Sequence, residues 1–140
     1  MPLYVLDTSA VMCILYQEEG ADQVVQLLEA AQSAPLRERP SVLLPFIALM
    51  EVEYWLLRRL TTKDMERNLL LLNNWPVEVR ESSPEWRHQA AQVKARGRLS
   101  LADAWIAALA IQEGGALVHK DPEFDQVGGL QSLRLPYQRP

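Results

Sequence analysis

With 140 residues and 49% apolar content, the chain is long enough to bury a core of its own and too hydrophobic to remain disordered. Fourteen Lys and Arg against eighteen Asp and Glu leave a net charge of −4, which argues against a purely charge-driven grip on nucleic acid. No apolar run approaches the length of a membrane span, no basic-then-apolar leader opens the sequence, and the single Cys13 has no partner for an internal disulfide, so a cytoplasmic protein is expected.

Leu3–Leu6 is an apolar run of strand length, and Thr8 or Ser9 can cap a helix reaching about Gln17. Gly20 breaks the pattern, after which Ala21–Gln32 has the spacing of an amphipathic helix with Val24, Val25, Leu27 and Leu28 inward. Ser33–Pro40, with two prolines and charges between them, is a loop. Val42–Leu44 reads as a second strand, and Pro45 suits the first turn of a helix over Phe46–Leu60. That helix is apolar on most sides and is expected to be largely buried.

Thr61 or Thr62 caps a helix over Lys63–Asn74, which carries the run Leu69–Leu72. Trp75–Arg80 alternates as a short strand. Ser83-Pro84 starts a helix running to Gly97, and Ser100–Glu113 forms another that Gly114-Gly115 stops. Ala116–His119 and Ser132–Leu135 complete the strands. Strands separated by helices predict an α/β fold, a parallel sheet covered on both faces, and no linker divides residues 1–140 into more than a single domain.

Four carboxylates stand where the chain changes character: Asp7 after the first strand, Glu51 in the long apolar helix, Asp103 opening the Ala-rich helix, and Asp121 after Ala116–His119. A carboxylate at the carboxyl end of a buried strand points into the crevice where open α/β sheets bind ligands. Several such acids, most without a neighbouring Lys or Arg, suit a divalent cation held by oxygen. Each also has a plainer role. Asp7 can simply cap the following helix. Glu51 and Glu53 are flanked alike by apolar residues at helical spacing, so periodicity leaves the choice between them open.

Ser100-Leu101-Ala102-Asp103 has the form of a capping box with Asp in the reciprocating place. Yet the helix it opens is apolar almost all round, which puts its N-terminus inside the protein rather than in bulk water. Asp121-Pro122 is also a turn dipeptide, and Asp125 is a secondary candidate, as a cap or a supporting acid. The basic groups Arg37 with Arg39, Arg58 with Arg59 and Lys63, and Lys94 with Arg96 and Arg98 read as solvated faces, of which only the last lies near a candidate acid. His88 and His119 lack zinc-ligand spacing, and neither a phosphate-binding Gly-x-x-x-x-Gly-Lys loop nor a Gly-x-Ser-x-Gly elbow occurs.

Together these segments resemble the PIN-domain nucleases, and more narrowly the toxin subunits of VapBC-type toxin–antitoxin pairs. The residues that carry the likeness are Tyr4-Val5-Leu6-Asp7-Thr8-Ser9-Ala10, Ala48-Leu49-Met50-Glu51-Val52, Leu101-Ala102-Asp103-Ala104-Trp105-Ile106-Ala107-Ala108, and Leu117-Val118-His119-Lys120-Asp121-Pro122-Glu123-Phe124. The resemblance implies a three-layer α/β/α fold around a mostly parallel sheet, with Mg²⁺ or Mn²⁺ bound by Asp7, Asp103 and Asp121. It selects Glu51 over Glu53, as the residue that orients water or completes a second metal site, and gives Thr8 and Ser9 a supporting role. It further implies hydrolysis of RNA phosphodiester bonds, a cognate antitoxin seated over helices around Tyr54, Trp55 and Leu69–Leu72, and a homodimer.

The chain departs from the resemblance at His119-Lys120, where many relatives carry Thr or Asn before the last acid. Two other readings stay within the same likeness: a PIN nuclease of RNA processing, and a degenerate PIN domain that only binds RNA or protein. A phospho-acceptor signalling domain also has acids at a sheet edge, but it needs an Asp closing a central strand where this chain has Val42-Leu43-Leu44-Pro45.

Overall fold

The computed structural model describes residues 2–137. The elements follow as β1 (Leu3–Leu6), α1 (Thr8–Leu15), α2 (Ala21–Ser33), β2 (Ser41–Pro45), α3 (Phe46–Arg59) and α4 (Thr62–Asn73). They continue with β3 (Glu78–Arg80), α5 (Pro84–Arg96), α6 (Leu101–Glu113), β4 (Ala116–His119), a short 3₁₀ helix (Pro122–Gln126) and β5 (Gln131–Arg134). The strands form one sheet in the order β3-β2-β1-β4-β5, and every pairing is parallel. The result is a three-layer α/β/α fold, as the sequence predicts.

The strand order fixes where a ligand site belongs. From β1 the chain steps outward through β2 to β3, then returns to the other side of β1 for β4 and β5. Next to β1 the direction of winding reverses, and the crevice beyond the carboxyl ends of β1 and β4 opens there. Asp7 leaves β1 and Asp121 follows β4 at that point. The Asp7 amide still donates to Val118 O at 3.0 Å, so the first acid is anchored to the last rung of the ladder.

The core is built from the near-continuous apolar strands expected of a sheet covered on both faces. Val5, Leu6, Leu43, Leu44, Leu117 and Val118 are all buried, and α6 adds Ile106 and the run Ala107–Ala110. Gly114 and Gly115 do different work at the end of α6. Gly114 closes the helix in the left-handed conformation, at φ 67°. A Cβ on Gly115 would stand 2.7 Å from the Leu3 carbonyl oxygen, so only glycine lets the start of β4 lie this close to β1.

Several expectations are corrected. α3 is not largely buried: Ala48, Val52 and Leu56 face the core as a single stripe, while Met50, Tyr54 and Leu57 are exposed. Composition predicted burial, but a helix packed along one side buries only residues repeating every fourth position. Val25 of α2 is likewise exposed, leaving Val24 and Leu28 as the buried pair. Pro45 ends β2 with extended backbone and precedes α3 instead of entering it. α1 stops at Leu15 because Gln17 turns the chain with φ 52°. The edge strand β3 is only Glu78–Arg80, and β5 begins one residue earlier than expected. Among the described residues no helix is long and apolar enough to cross a membrane.

Candidate active site

Asp7 is 4% exposed. Its Oδ2 caps α1, accepting from the Ser9 amide at 3.1 Å and from the Ser9 hydroxyl. Its Oδ1 is, among the described residues, the one buried side-chain nitrogen or oxygen with no hydrogen-bond partner. One oxygen of the carboxylate is thus spent on the helix cap, while the other is buried and left without a partner. An orphaned carboxylate oxygen in a buried place is costly, on the order of 1–3 kcal/mol or more for a charged group. Burial accordingly pushes the Asp7 carboxyl up to about 7; the Ser9 hydrogen bonds pull it down, and the charges of Asp103 and Glu51 raise it further.

Asp103 sits in the first turn of α6, its amide donating to Ser100 Oγ at 3.1 Å. Here too the capping geometry is real and the acid is still drawn into the cluster. Burial pushes Asp103 up to about 6, with the charges of Asp121 and Glu51 adding to it. Glu51 is partly buried on α3, and its Oε1 accepts the Thr8 hydroxyl at 2.7 Å. Glu53, two residues on, is exposed. Asp121 caps the 3₁₀ helix through Oδ1, which accepts the Glu123 amide at 2.9 Å.

Asp103 and Glu51 lie close enough to Asp7 for their charges to raise it, and Asp121 close enough to raise Asp103, so acids from β1, α3, α6 and the turn after β4 share one corner of the fold. None of them takes part in the ion pairs found among the described residues, which join Arg80 to Glu78 and Glu113, Lys120 to Glu18, and Arg134 to Asp125. Asp125 is 2.6 Å from Arg134 of β5, an ion pair that none of the four acids has. Ser9 does more than cap: its Oγ also accepts the Lys120 amide at 3.0 Å, tying the end of β1 to the turn that carries Asp121. Thr8 ties the same corner to α3.

Sequence reasoning missed His119. It ends β4, is buried, and accepts the Asp121 amide on Nδ1 at 3.1 Å. Burial lowers its pKa against the pull of Asp125 and Asp121. Only zinc-ligand spacing was available as a test for it, and a histidine that supports a neighbour's backbone has no such spacing.

The donor chemistry decides what this cluster can hold. Among the described residues no three His, Cys, Asp or Glu side chains form a ready-made metal cage. The arrangement suits a partly hydrated divalent ion held by carboxylates, with water filling the other positions, as is usual for Mg²⁺. The vacant Asp7 Oδ1 and the raised carboxyls of Asp7 and Asp103 fit that occupant, since a cation removes the repulsion that raises them.

The PIN domain family profile matches residues 4–130. Among solved structures the chain resembles VapBC2 from Rickettsia felis bound to a DNA fragment of its promoter, at TM-score 0.78 and 16% identity over 96% of this chain and 99% of that one. It resembles the DNA-bound VapBC of Salmonella typhimurium at TM-score 0.73 and 21% identity, covering 96% of this chain and 98% of that one. A third likeness, at TM-score 0.66 and 19% identity over 89% and 95% of the two chains, is to VapC20 of Mycobacterium tuberculosis, a toxin that cleaves the sarcin–ricin loop. No curated protein matches. With 127 consecutive residues inside the family profile and the acids grouped at the switch point of the sheet, this chain belongs to the PIN domain family of nucleases.

Proposed function

We propose that the protein is a metal-dependent endoribonuclease, the toxin of a type II toxin–antitoxin pair, with residues 1–140 acting as one PIN-like domain in the cytoplasm. The observation that carries the reading is the buried Asp7 carboxylate with one oxygen unpartnered, raised by the charges of Asp103 and Glu51, where none of the four acids is in an ion pair among the described residues. Asp7, Asp103 and Asp121 are the residues to hold Mg²⁺ or Mn²⁺. Bound there, the ion supplies charge neutralisation, a water of lowered pKa and a hold on a phosphodiester oxygen.

The chain's own groups do the rest. Ser9 fixes the Asp7 carboxylate and braces the Asp121 turn, so two acids from different strands keep one relative placement. Thr8 holds Glu51 by one oxygen, leaving the other to orient a water for in-line attack on phosphorus. As the water oxygen bonds to phosphorus, the bond to the leaving ribose oxygen breaks, one proton passes from the water to a base, and the ribose oxygen takes up a proton from solvent to leave as a hydroxyl. The overall chemistry is hydrolysis of an RNA phosphodiester bond.

An antitoxin partner suits the exposed apolar and aromatic residues Tyr54, Leu57, Leu70 and Leu71 of α3 and α4. It also separates the toxin reading from a free-standing nuclease of RNA processing. A homodimer is part of the same proposal.

The test is incubation of the purified, partner-free protein with total RNA in Mn²⁺ or Mg²⁺, beside Asp7→Asn and a chelator. Discrete cleavage lost in both controls is expected. Cleavage by Asp7→Asn at the wild-type rate refutes the site. A folded protein that binds no Mn²⁺ and cuts nothing is instead a degenerate PIN domain.

A further inference from the structure

His119 is 1% exposed, and both of its ring nitrogens are used. Nδ1 accepts the Asp121 backbone N–H at 3.1 Å, and Nε2 lies 3.0 Å from Ser132 Oγ on β5. An amide proton aimed at Nδ1 occupies the lone pair of that nitrogen, so the ring is neutral and Nε2 carries its proton toward Ser132. The ring also packs on Phe124, centroids 4.9 Å apart. Phe124 is the buried residue of the 3₁₀ helix that Asp121 caps. The His119 carbonyl meanwhile accepts the Leu135 amide at 2.8 Å.

One imidazole therefore joins the end of β4, the edge strand β5 and the turn bearing Asp121. A hydroxyl or a short carboxamide here could satisfy the Asp121 amide but could not also reach Ser132. We infer that His119 is a positioning residue for the acidic cluster: braced by Ser132 and Phe124, its ring holds the Asp121 turn so that the carboxylate is kept beside Asp103. The inference rests on the proposed role of Asp121 as a metal ligand, and its test separates the two.

Mn²⁺ binding to the full chain is measured by titration calorimetry, with the thermal midpoint of every variant recorded alongside. His119→Asn places a carboxamide oxygen where Nδ1 stands and gives up Ser132. His119→Gln places its terminal amide where Nε2 stands and gives up the Asp121 amide. His119→Gln is expected to weaken Mn²⁺ about tenfold or more, as loss of a partner behind a ligand generally does, while His119→Asn, which keeps the Asp121 amide and loses only the brace, weakens it less, about threefold. A residue with a merely structural role would lower both midpoints and leave Mn²⁺ affinity unchanged, and that pattern overturns the inference. So does equal weakening by the two variants. Asp121→Asn is the control: if it binds Mn²⁺ as wild type does, the ligand assignment itself fails; if it weakens binding and His119→Gln does not, only the inference on His119 fails.

Discussion

At the scale of single residues, the site is defined by a carboxylate that the fold holds at a disadvantage. Asp7 is pushed up to about 7 from an ordinary value near 3.8, and Asp103 up to about 6. Between those limits the folded protein binds more protons than the unfolded chain, so metal-free stability falls as pH rises from about 4 to about 7 and then levels off. A group whose folded pKa is raised has this sign, opposite to that of a carboxylate in a salt bridge. Asp7→Asn removes the penalty. It is expected to raise the metal-free thermal midpoint at pH 7.5 by several degrees, on the order of 1–3 kcal/mol, and to flatten the pH dependence. Mn²⁺ should stabilise the wild type and close the gap between the two. A midpoint for Asp7→Asn at or below that of wild type in chelator would contradict the buried, repelled carboxylate described here. Part of this was readable in sequence. Each acid was visible as a candidate, but capping and ligand roles looked like alternatives because a linear sequence does not show that a carboxylate has two oxygens facing different ways. The choice between Glu51 and Glu53 was likewise closed to periodicity; the Thr8 hydroxyl singles out Glu51 in space, across 43 residues of chain.

At the scale of elements, boundaries followed local chemistry wherever a cap or a glycine set them. Thr61, Ser83 and Ser100 each accept an amide three residues on, and the helices begin beside them. α3 went the other way, because composition was taken for burial. Its exposed apolar residues obey no local rule, and their explanation lies outside the helix. The hinge between α6 and β4 shows how much one atom matters there. Gly115→Ala would drive a methyl group against Leu3, displacing the start of β4 from the start of β1, at the opposite end of that strand from Asp7. The expected loss is about 1–3 kcal/mol, the usual result of overpacking, read as a lower urea midpoint at unchanged m-value. Gly114→Ala meets nothing in space but keeps a positive φ, so its loss should be smaller, about 1 kcal/mol. Equal stability of Gly115→Ala and wild type would mean that this approach of β4 to β1 is not required.

At the scale of the whole molecule, the sheet order brings to one edge four acids that are spread over more than a hundred residues of sequence. Their number equals the entire net charge of −4, so under the proposed function a cation bound there offsets part of the charge that would repel a phosphodiester backbone. The opposite requirement is met on α3 and α4, where Leu57, Leu70 and Leu71 are 63%, 65% and 56% exposed and the aromatic rings of Tyr54 and Trp55 stack edge to face. Arg58 and Arg59 lie over those rings, which keeps the face soluble without covering its leucines. A patch of this kind stabilises nothing in the isolated chain, so its removal should not unfold the protein. Replacing both Leu70 and Leu71 by Glu is expected to leave the thermal midpoint within about 1 kcal/mol of wild type, as surface changes do, and to leave Mn²⁺ binding intact. The same change puts two unpaired charges where an apolar partner must close, which costs several kcal/mol and on the order of a hundredfold or more in affinity. Under the toxin reading proposed above, co-expression with a cognate antitoxin followed by affinity capture reads that loss directly. Full capture of the double variant would move the antitoxin to another face while leaving the acidic site untouched, because Leu70 and Leu71 belong to α4 and none of the four acids does.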